Sequence, residues 1–261
     1  MKIGIIGAGN MGGAIARGLY RSGAGIDRIV VSNPSEPKLK ALKTECPDVV
    51  VSTSNIDAVK GADVVIFAVK PWLLEGVMAE VAPMVEFRRQ ILVSVAAGVS
   101  LDTMWNWLKN YSGDRVLMRV MPNTSISVGE SMTLLCSRNA SDSQVAAVAA
   151  LFDALGRTAV IQERQMDAAM ALCSCGIAYA MRYVRAATEG AVELGLYPDQ
   201  AREYLLQTLR GAVALLEATG ANPESEIDKV TTPGGVTIRG LNAMEAHGFS
   251  AAVIAGLKAS V

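Results

Sequence analysis

Short apolar runs alternate with amphipathic stretches over the first 160 or so residues of the chain. Apolar runs bounded by turn residues predict strands over 2–6, 28–32, 49–52, 62–69, 90–95, 116–121 and 131–136. Helical spacing places helices between them, the first two at 11–22 and 36–45. Strands alternating with helices predict an α/β fold with a doubly wound, mostly parallel sheet.

The pattern changes after Ile161, and no strand is predicted from Arg164 onward. A long helix is expected over 166–194. A second runs over 199–218, with Pro198 near its start and Gly220 near its end, and two shorter ones cover 237–247 and 250–259. Met170, Cys173, Ile177, Met181 and Val184 put apolar residues on more than one face of the long helix, which predicts burial. So short a half has little core of its own, so a partner subunit is expected to cover that surface, with Met166, Met170 and Met181 as core or interface filler. The chain therefore divides into an α/β domain at 1–162 and an all-α domain at 163–261.

Composition sharpens this. The chain of 261 residues is 51% hydrophobic and only 19% charged, against about 25% charged in ordinary domains, which also favours a homo-oligomer. A net charge of −1 without a basic block argues against nucleic acid as a partner. No uncharged run reaches the ~20 apolar residues that span a bilayer. The apolar N-terminal stretch is too short and glycine-rich for a signal peptide, so a cytoplasmic protein is expected. Cys173 and Cys175 have neither a second pair nor a nearby histidine, so no metal site is predicted, and the cysteines read as small hydrophobes. His247 reads as a capping or surface residue. Trp72 is expected to pack in the core or to border a bound cofactor, and Trp105 and Trp107 to lie on surface helices or turns.

The first candidate chemistry is Gly7-Ala8-Gly9-Asn10-Met11-Gly12, a G-x-G-x-x-G turn between a strand and a helix. Gly7 makes the tight turn, Gly9 admits a pyrophosphate close to the backbone, and Gly12 lets helix and strand pack, which defines a Rossmann-type dinucleotide site. The second strand ends in Ser32-Asn33-Pro34-Ser35, without the carboxylate that binds a ribose 2′-hydroxyl, and Lys38 and Lys40 are near in sequence. NADP is therefore the expected dinucleotide, with NADPH preferred over NADH.

The second is Thr231-Thr232-Pro233-Gly234-Gly235-Val236-Thr237, read as a helix start capped by Thr232 with Pro233 in its first position. Open N–H groups there suit a carboxylate. The chain has one histidine, and no lysine between Lys109 and Lys229, so the long helix lacks the general base that alcohol oxidation demands. Reduction of an imine needs mainly positioning, a carboxylate clamp and a proton donor, for which Thr237 offers its hydroxyl.

Several motifs together resemble pyrroline-5-carboxylate reductases: the run from Asp228 to Thr237 with its Pro-Gly-Gly-x-Thr core, Ala68-Val69-Lys70-Pro71, Ser94-Val95-Ala96-Ala97-Gly98, and Met121-Pro122-Asn123-Thr124. The resemblance covers essentially the whole chain. It implies a Rossmann domain followed by an all-α dimerisation domain, a homodimer that builds into larger rings, and NADPH-dependent formation of L-proline. It also implies that Ile6, Gly7, Ala8, Gly9, Asn10 and Met11 hold the pyrophosphate, Asn33 and Ser35 the adenosine phosphate, and Asn55 the ribose. Ala68, Val69, Lys70, Pro71, Ala96, Ala97 and Gly98 would line the nicotinamide side. Gly234, Gly235, Val236 and Thr237 would meet the substrate, and Glu163 is either a further substrate contact or a salt-bridge partner. The family's Ser-Gly-Ser-Gly-Pro-Ala-Tyr reads Cys173-Ser174-Cys175-Gly176-Ile177-Ala178-Tyr179 here. Reduction of a related cyclic imino acid, hydroxyacid oxidation and a non-catalytic dinucleotide-binding oligomer are the competing readings.

Overall fold

The structure, a computed structural model, describes residues 1–23 and 25–261 and contains two compact units, Met1–Ser174 and Cys175–Val261.

The first unit is built on eight strands: β1 (Lys2–Ile6), β2 (Arg28–Ser32), β3 (Val50–Ser52), β4 (Val64–Phe67), β5 (Ile91–Ser94), β6 (Val116–Met121), β7 (Ser131–Arg138) and β8 (Gly156–Val160). Their order is β3-β2-β1-β4-β5-β6-β7-β8. The first six pair in parallel, β7 runs antiparallel to β6, and β8 is parallel to β7. The reversal at β7 has a simple cause. Only one 3-10 turn, Thr124–Val128, separates β6 from β7, too little chain for the helical crossover that parallel pairing needs.

The helices of this unit are α1 (Asn10–Ser22), α2 (Glu36–Glu45), α3 (Asn55–Val59), α4 (Pro71–Val81), α5 (Leu101–Trp107), α6 (Asp142–Asp153) and α7 (Met166–Met170). Alternate strand residues feed two separate apolar layers. Val64 and Ile66 join Ile15 and Leu19 of α1 and Phe152 of α6 on one face, while Val65 and Phe67 join Leu74 and Met78 of α4 and Met104 of α5 on the other. Burial on both faces explains why these strands read as unbroken apolar runs. Fully buried Met166 joins the second layer and ties α7 to the sheet.

The second unit contains α8 (Gly176–Glu193), α9 (Pro198–Thr219), α10 (Pro223–Val230), α11 (Val236–Ala246) and α12 (Phe249–Lys258). Tyr179 of α8 donates to Gly256 O on α12 at 3.1 Å, and Tyr183 meets Phe249 edge-on at 6.4 Å. Ala201 is the only buried residue of this unit, whereas Met181 is 62% and Leu194 89% exposed. This layer of helices cannot bury its own apolar faces.

Four sequence expectations change. β8 was not anticipated: its sequence, Gly-Arg-Thr-Ala-Val, lies half exposed on the sheet edge and carries no apolar run. Helix α10 is mostly polar, and its signals are Asn222, which caps Glu224 N at 2.9 Å, and Pro223 at the first position. The expected helix 166–194 is interrupted by a π-helical turn at Ala171–Cys175, over the cysteine-bearing departure noted above. Trp72 is 76% exposed instead of packed in the core, and Lys70 Nζ lies 5.8 Å from its ring. Trp105 sits between the guanidinium groups of Arg115 and Arg138, each 4.2 Å from the ring centroid.

Candidate active site

The glycine turn between β1 and α1 gives each glycine a separate task. Gly7 has φ +106, and a Cβ there would lie 2.6 Å from Ala68 O. A Cβ on Gly12 would lie 2.0 Å from Gly7 O, so helix α1 and the turn touch through bare backbone. Gly9 differs. Its φ of −74 is ordinary, and a Cβ would meet no atom within 4 Å. No contact within the protein requires glycine there, and the open space lies over the start of α1. That start has no side-chain cap and no acidic residue in its first turn, so its N–H groups are free for an anion.

The turn opens into a cavity of about 660 Å³ at the carboxyl ends of β1, β2, β4 and β5, where β1 and β4 diverge to opposite sides of the topological switch. Ile6, Gly7, Gly9, Asn10, Met11, Asn33, Asn55, Ala68, Val69, Lys70, Pro71, Ala96 and Ala97 line it, all of them sequence candidates. Ala8, Gly12, Ser35 and Gly98 do not. Ala8 instead donates its N–H to Asn33 Oδ1 at 3.0 Å, and Ser35 offers its carbonyl to Asn33 Nδ2 at 3.4 Å. The buried Asn33 amide thus ties the glycine turn to the end of β2. Asn55 is held from both sides, accepting from Ser32 Oγ at 2.9 Å and donating to Glu80 Oε2 at 2.9 Å.

The wall carries two lysines, Lys38 and Lys70, and no carboxylate. Thr53, Leu73 and Val77 also line it and escaped the sequence reading. Leu73 and Val77 lie three and seven residues after Lys70, on one face of α4. Lys40 lies elsewhere, in a separate 430 Å³ groove with Lys43.

The Pro-Gly-Gly segment is not a helix start. Gly234 has φ +70, and Gly235 N donates to Thr232 O at 2.9 Å, the pattern of a type II turn with Pro233 in its second position. Helix α11 begins at Val236, within one residue of the start expected from the apolar pattern but three after Pro233, with Gly235 at the N-cap, no side-chain cap and no acidic residue in its first turn. Thr232 is therefore not the cap. A Cβ on Gly235 would lie 2.4 Å from Thr232 Oγ1 and 3.0 Å from Thr232 O, so a side chain there would make the Thr232 hydroxyl move. The first N–H groups of α11 stay open, and half-buried Thr237 is the second residue of that helix.

Glu163 forms an ion pair. Its Oε1 accepts from Arg119 Nη1 at 2.8 Å and from Leu101 N at 2.7 Å. Asn123, in the Met-Pro-Asn-Thr turn, donates from Nδ2 to Cys173 O in the π-turn at 3.0 Å and caps the following turn through Ser125 N. Nearby on β7, burial pushes the Cys136 thiol up to about 11. His247 ends α11, its N–H donating to Ala243 O and Met244 O, which makes it a capping residue.

A glycine turn at the switch point of a mostly parallel sheet, opening into a cavity of about 660 Å³, defines a dinucleotide-binding site. Likeness to known proteins makes the chain an oxidoreductase. Residues 2–98 match the family model described as NADP oxidoreductase, coenzyme F420-dependent, and residues 163–261 match that of pyrroline-5-carboxylate reductase dimerisation. The chain is 37% identical to a Macaca fascicularis pyrroline-5-carboxylate reductase 3, over 99% of this chain and 93% of the relative. It is also 37% identical to a Dictyostelium discoideum pyrroline-5-carboxylate reductase 1, of which it spans 48%. A crystal structure of Plasmodium falciparum pyrroline carboxylate reductase with NADP bound superposes with TM-score 0.89 at 25% identity, covering 100% of this chain and 95% of that one. The chain belongs to the pyrroline-5-carboxylate reductase family. Its match to the dimerisation domain agrees with the uncovered apolar faces of α8 to α12, and both are consistent with a homo-oligomer. Among the described residues no helix is long and apolar enough to cross a membrane, and none form a cluster that would hold a metal ion.

Proposed function

We propose that this protein catalyses the NADPH-dependent reduction of 1-pyrroline-5-carboxylate to L-proline, the last step of proline biosynthesis, in the cytoplasm. The observation that carries the reading is the pairing, in one chain, of a lysine-lined dinucleotide cavity with a glycine turn that leaves the start of α11 open. The cavity fits the cofactor on its own terms: bare space above Gly9, and no carboxylate to repel a 2′-phosphate. Ile6, Gly7, Gly9, Asn10 and Met11 would hold the pyrophosphate, Asn33 and Lys38 the 2′-phosphate end, Asn55 the ribose, and Ala68 to Pro71 with Ala96 and Ala97 the nicotinamide. When bound, NADPH supplies the hydride.

The chain's own residues do the rest. Gly234, Gly235 and Val236 present the first N–H groups of α11 to the substrate carboxylate, where each charge-assisted hydrogen bond contributes about 1.5–3 kcal/mol. Thr237 would donate a hydrogen bond from its hydroxyl to the ring nitrogen, beside the carbon that would accept hydride. No general base is required, because the amine formed would take up a proton from solvent at neutral pH instead of losing one. The part of Glu163 here is as the partner of Arg119, not as a substrate ligand. Residues 163–261 form the dimerisation and substrate domain, and dimers assemble further into a ring.

Purified protein is expected to oxidise NADPH when given 1-pyrroline-5-carboxylate, to release proline, and to show a higher kcat/KM with NADPH than with NADH. Folded, NADPH-bound protein without turnover sinks the reading. Faster turnover of a six-membered cyclic imino acid in the same assay reassigns the substrate and points to the altered stretch from Cys173 to Ile177.

A further inference from the structure

The turn after β5 carries Ala96, Ala97 and Gly98 and is exposed at its tip, at Ala97 and Gly98. Its near end is fixed by Val95 N donating to Phe67 O at 3.1 Å and by Ala96 N donating to Ser94 Oγ at 3.2 Å. Its far end is Leu101, the first residue of α5, whose N–H has no acceptor within its own helix. That N–H donates to Glu163 Oε1 at 2.7 Å, across 62 positions of sequence.

Glu163 is itself held. Arg119 lies on β6, in register beside Ser94 of β5, with its side chain only 6% exposed, and donates to the same Oε1 at 2.8 Å. Arg119 Nε is buried with no hydrogen-bond partner, and among the described residues Glu163 is the carboxylate that pairs with this guanidinium. Placing a buried cation in the central sheet is costly unless it is paired. Stability alone does not call for it, since apolar residues occupy the neighbouring positions of β6. The pair does hold one carboxylate oxygen at a fixed point against the end of the turn.

We propose that Glu163, held by Arg119, is a positioning residue that fixes the nicotinamide-side turn 95–100 from its far end. This rests on the cofactor assignment made above. It predicts a localised loss: contacts at the nicotinamide end weaken when the strut is removed, while the adenosine end, held by Asn33 and the glycine turn, does not change.

The test compares NADPH with 2′,5′-ADP, which carries the adenosine and its 2′-phosphate but no nicotinamide, in binding titrations of the apo-protein. Glu163→Ala is expected to raise the Kd for NADPH about tenfold and to leave that for 2′,5′-ADP within twofold. Glu163→Gln keeps an acceptor for Leu101 N and is expected to recover most of the affinity. Should Glu163→Ala fail to fold because Arg119 is left unpaired, the double variant Arg119→Met with Glu163→Ala removes that charge and is expected to show the same selective loss. Proportional loss of both ligands, or wild-type NADPH affinity in the folded variant, overturns the positioning role. Failure of the wild type to bind either ligand refutes the cofactor assignment instead.

Discussion

Alanine at Gly9 and at Gly12 separates two tasks that the glycine turn combines. At Gly12 the new Cβ starts 2.0 Å from Gly7 O and 2.8 Å from Ala68 Cβ, and neither atom can rotate away. Restoring ordinary contact to Gly7 O, at 3.4 Å, requires turn and helix to separate by about 1.4 Å. Overpacking of this kind costs about 1–3 kcal/mol, and alanine's better helix propensity returns at most about 1 kcal/mol. Because both contacts are rigid, the cost lies in the upper part of that range and about 1–2 kcal/mol remains, so the apo-protein should melt roughly 2–8 °C lower. At Gly9 the new Cβ meets nothing within 4 Å, and φ is already −74. The only cost to the folded chain is a poorer N-cap, under about 1 kcal/mol. Its Cβ does enter the space through which a pyrophosphate reaches the start of α1. Gly9→Ala should thus melt close to wild type yet bind NADPH at least about tenfold more weakly, a loss of about 1.4 kcal/mol. Thermal denaturation without ligand, paired with an NADPH titration, reads both quantities. Wild-type affinity in Gly9→Ala, or a drop in apo melting temperature as large as that of Gly12→Ala, refutes the division of labour.

Thr237→Val keeps the side-chain shape and removes the hydroxyl, and is expected to lower kcat at least about tenfold, the scale of a hydrogen bond to a developing charge. Steady-state kinetics with an unchanged kcat would leave Thr237 as part of the helix start only. Burial raises the Cys136 thiol from 9.0 to about 11, so the folded protein keeps a proton that the unfolded chain gives up. Stability should fall as pH rises between those values. Urea midpoints at pH 8 and pH 10 should differ less in Cys136→Val than in wild type, and equal slopes would show that burial does not hold the thiol protonated.

Much of the cofactor end was legible because its constraints are local. Gly7, Gly9 and Gly12 fall at a fixed spacing in one strand–turn–helix segment, with Gly12 closing on Gly7 O five residues away, so their spacing carries their function even though Ala68 also packs against Gly7 and Gly12. The substrate end was read less well. The sequence Thr-Pro-Gly-Gly suits a capped helix and a type II turn alike, and φ +70 at Gly234 decides for the turn. Glu163 illustrates another limit. Its sequence context allowed a substrate ligand and a salt bridge equally, and its partner Arg119 lies 44 positions away on a strand that otherwise reads as apolar.

By itself, then, the sequence determined the alternation of strands and helices, the nucleotide turn and the switch to an all-helical half, because hydrophobic period and glycine spacing record local geometry. Only the tertiary structure decided the reversal at β7, the edge strand β8, the π-turn at Ala171–Cys175 and the chain of contacts from Arg119 through Glu163 to Leu101. The contacts of Glu163 join groups far apart in sequence, which periodicity along one chain does not encode. β8 lacks the apolar run that marks a strand, and the reversal at β7 follows from a connection too short for a crossover. The segment from Thr231 to Thr237 lies between the two cases: its residues announce an open helix start, and the fold sets where that helix begins.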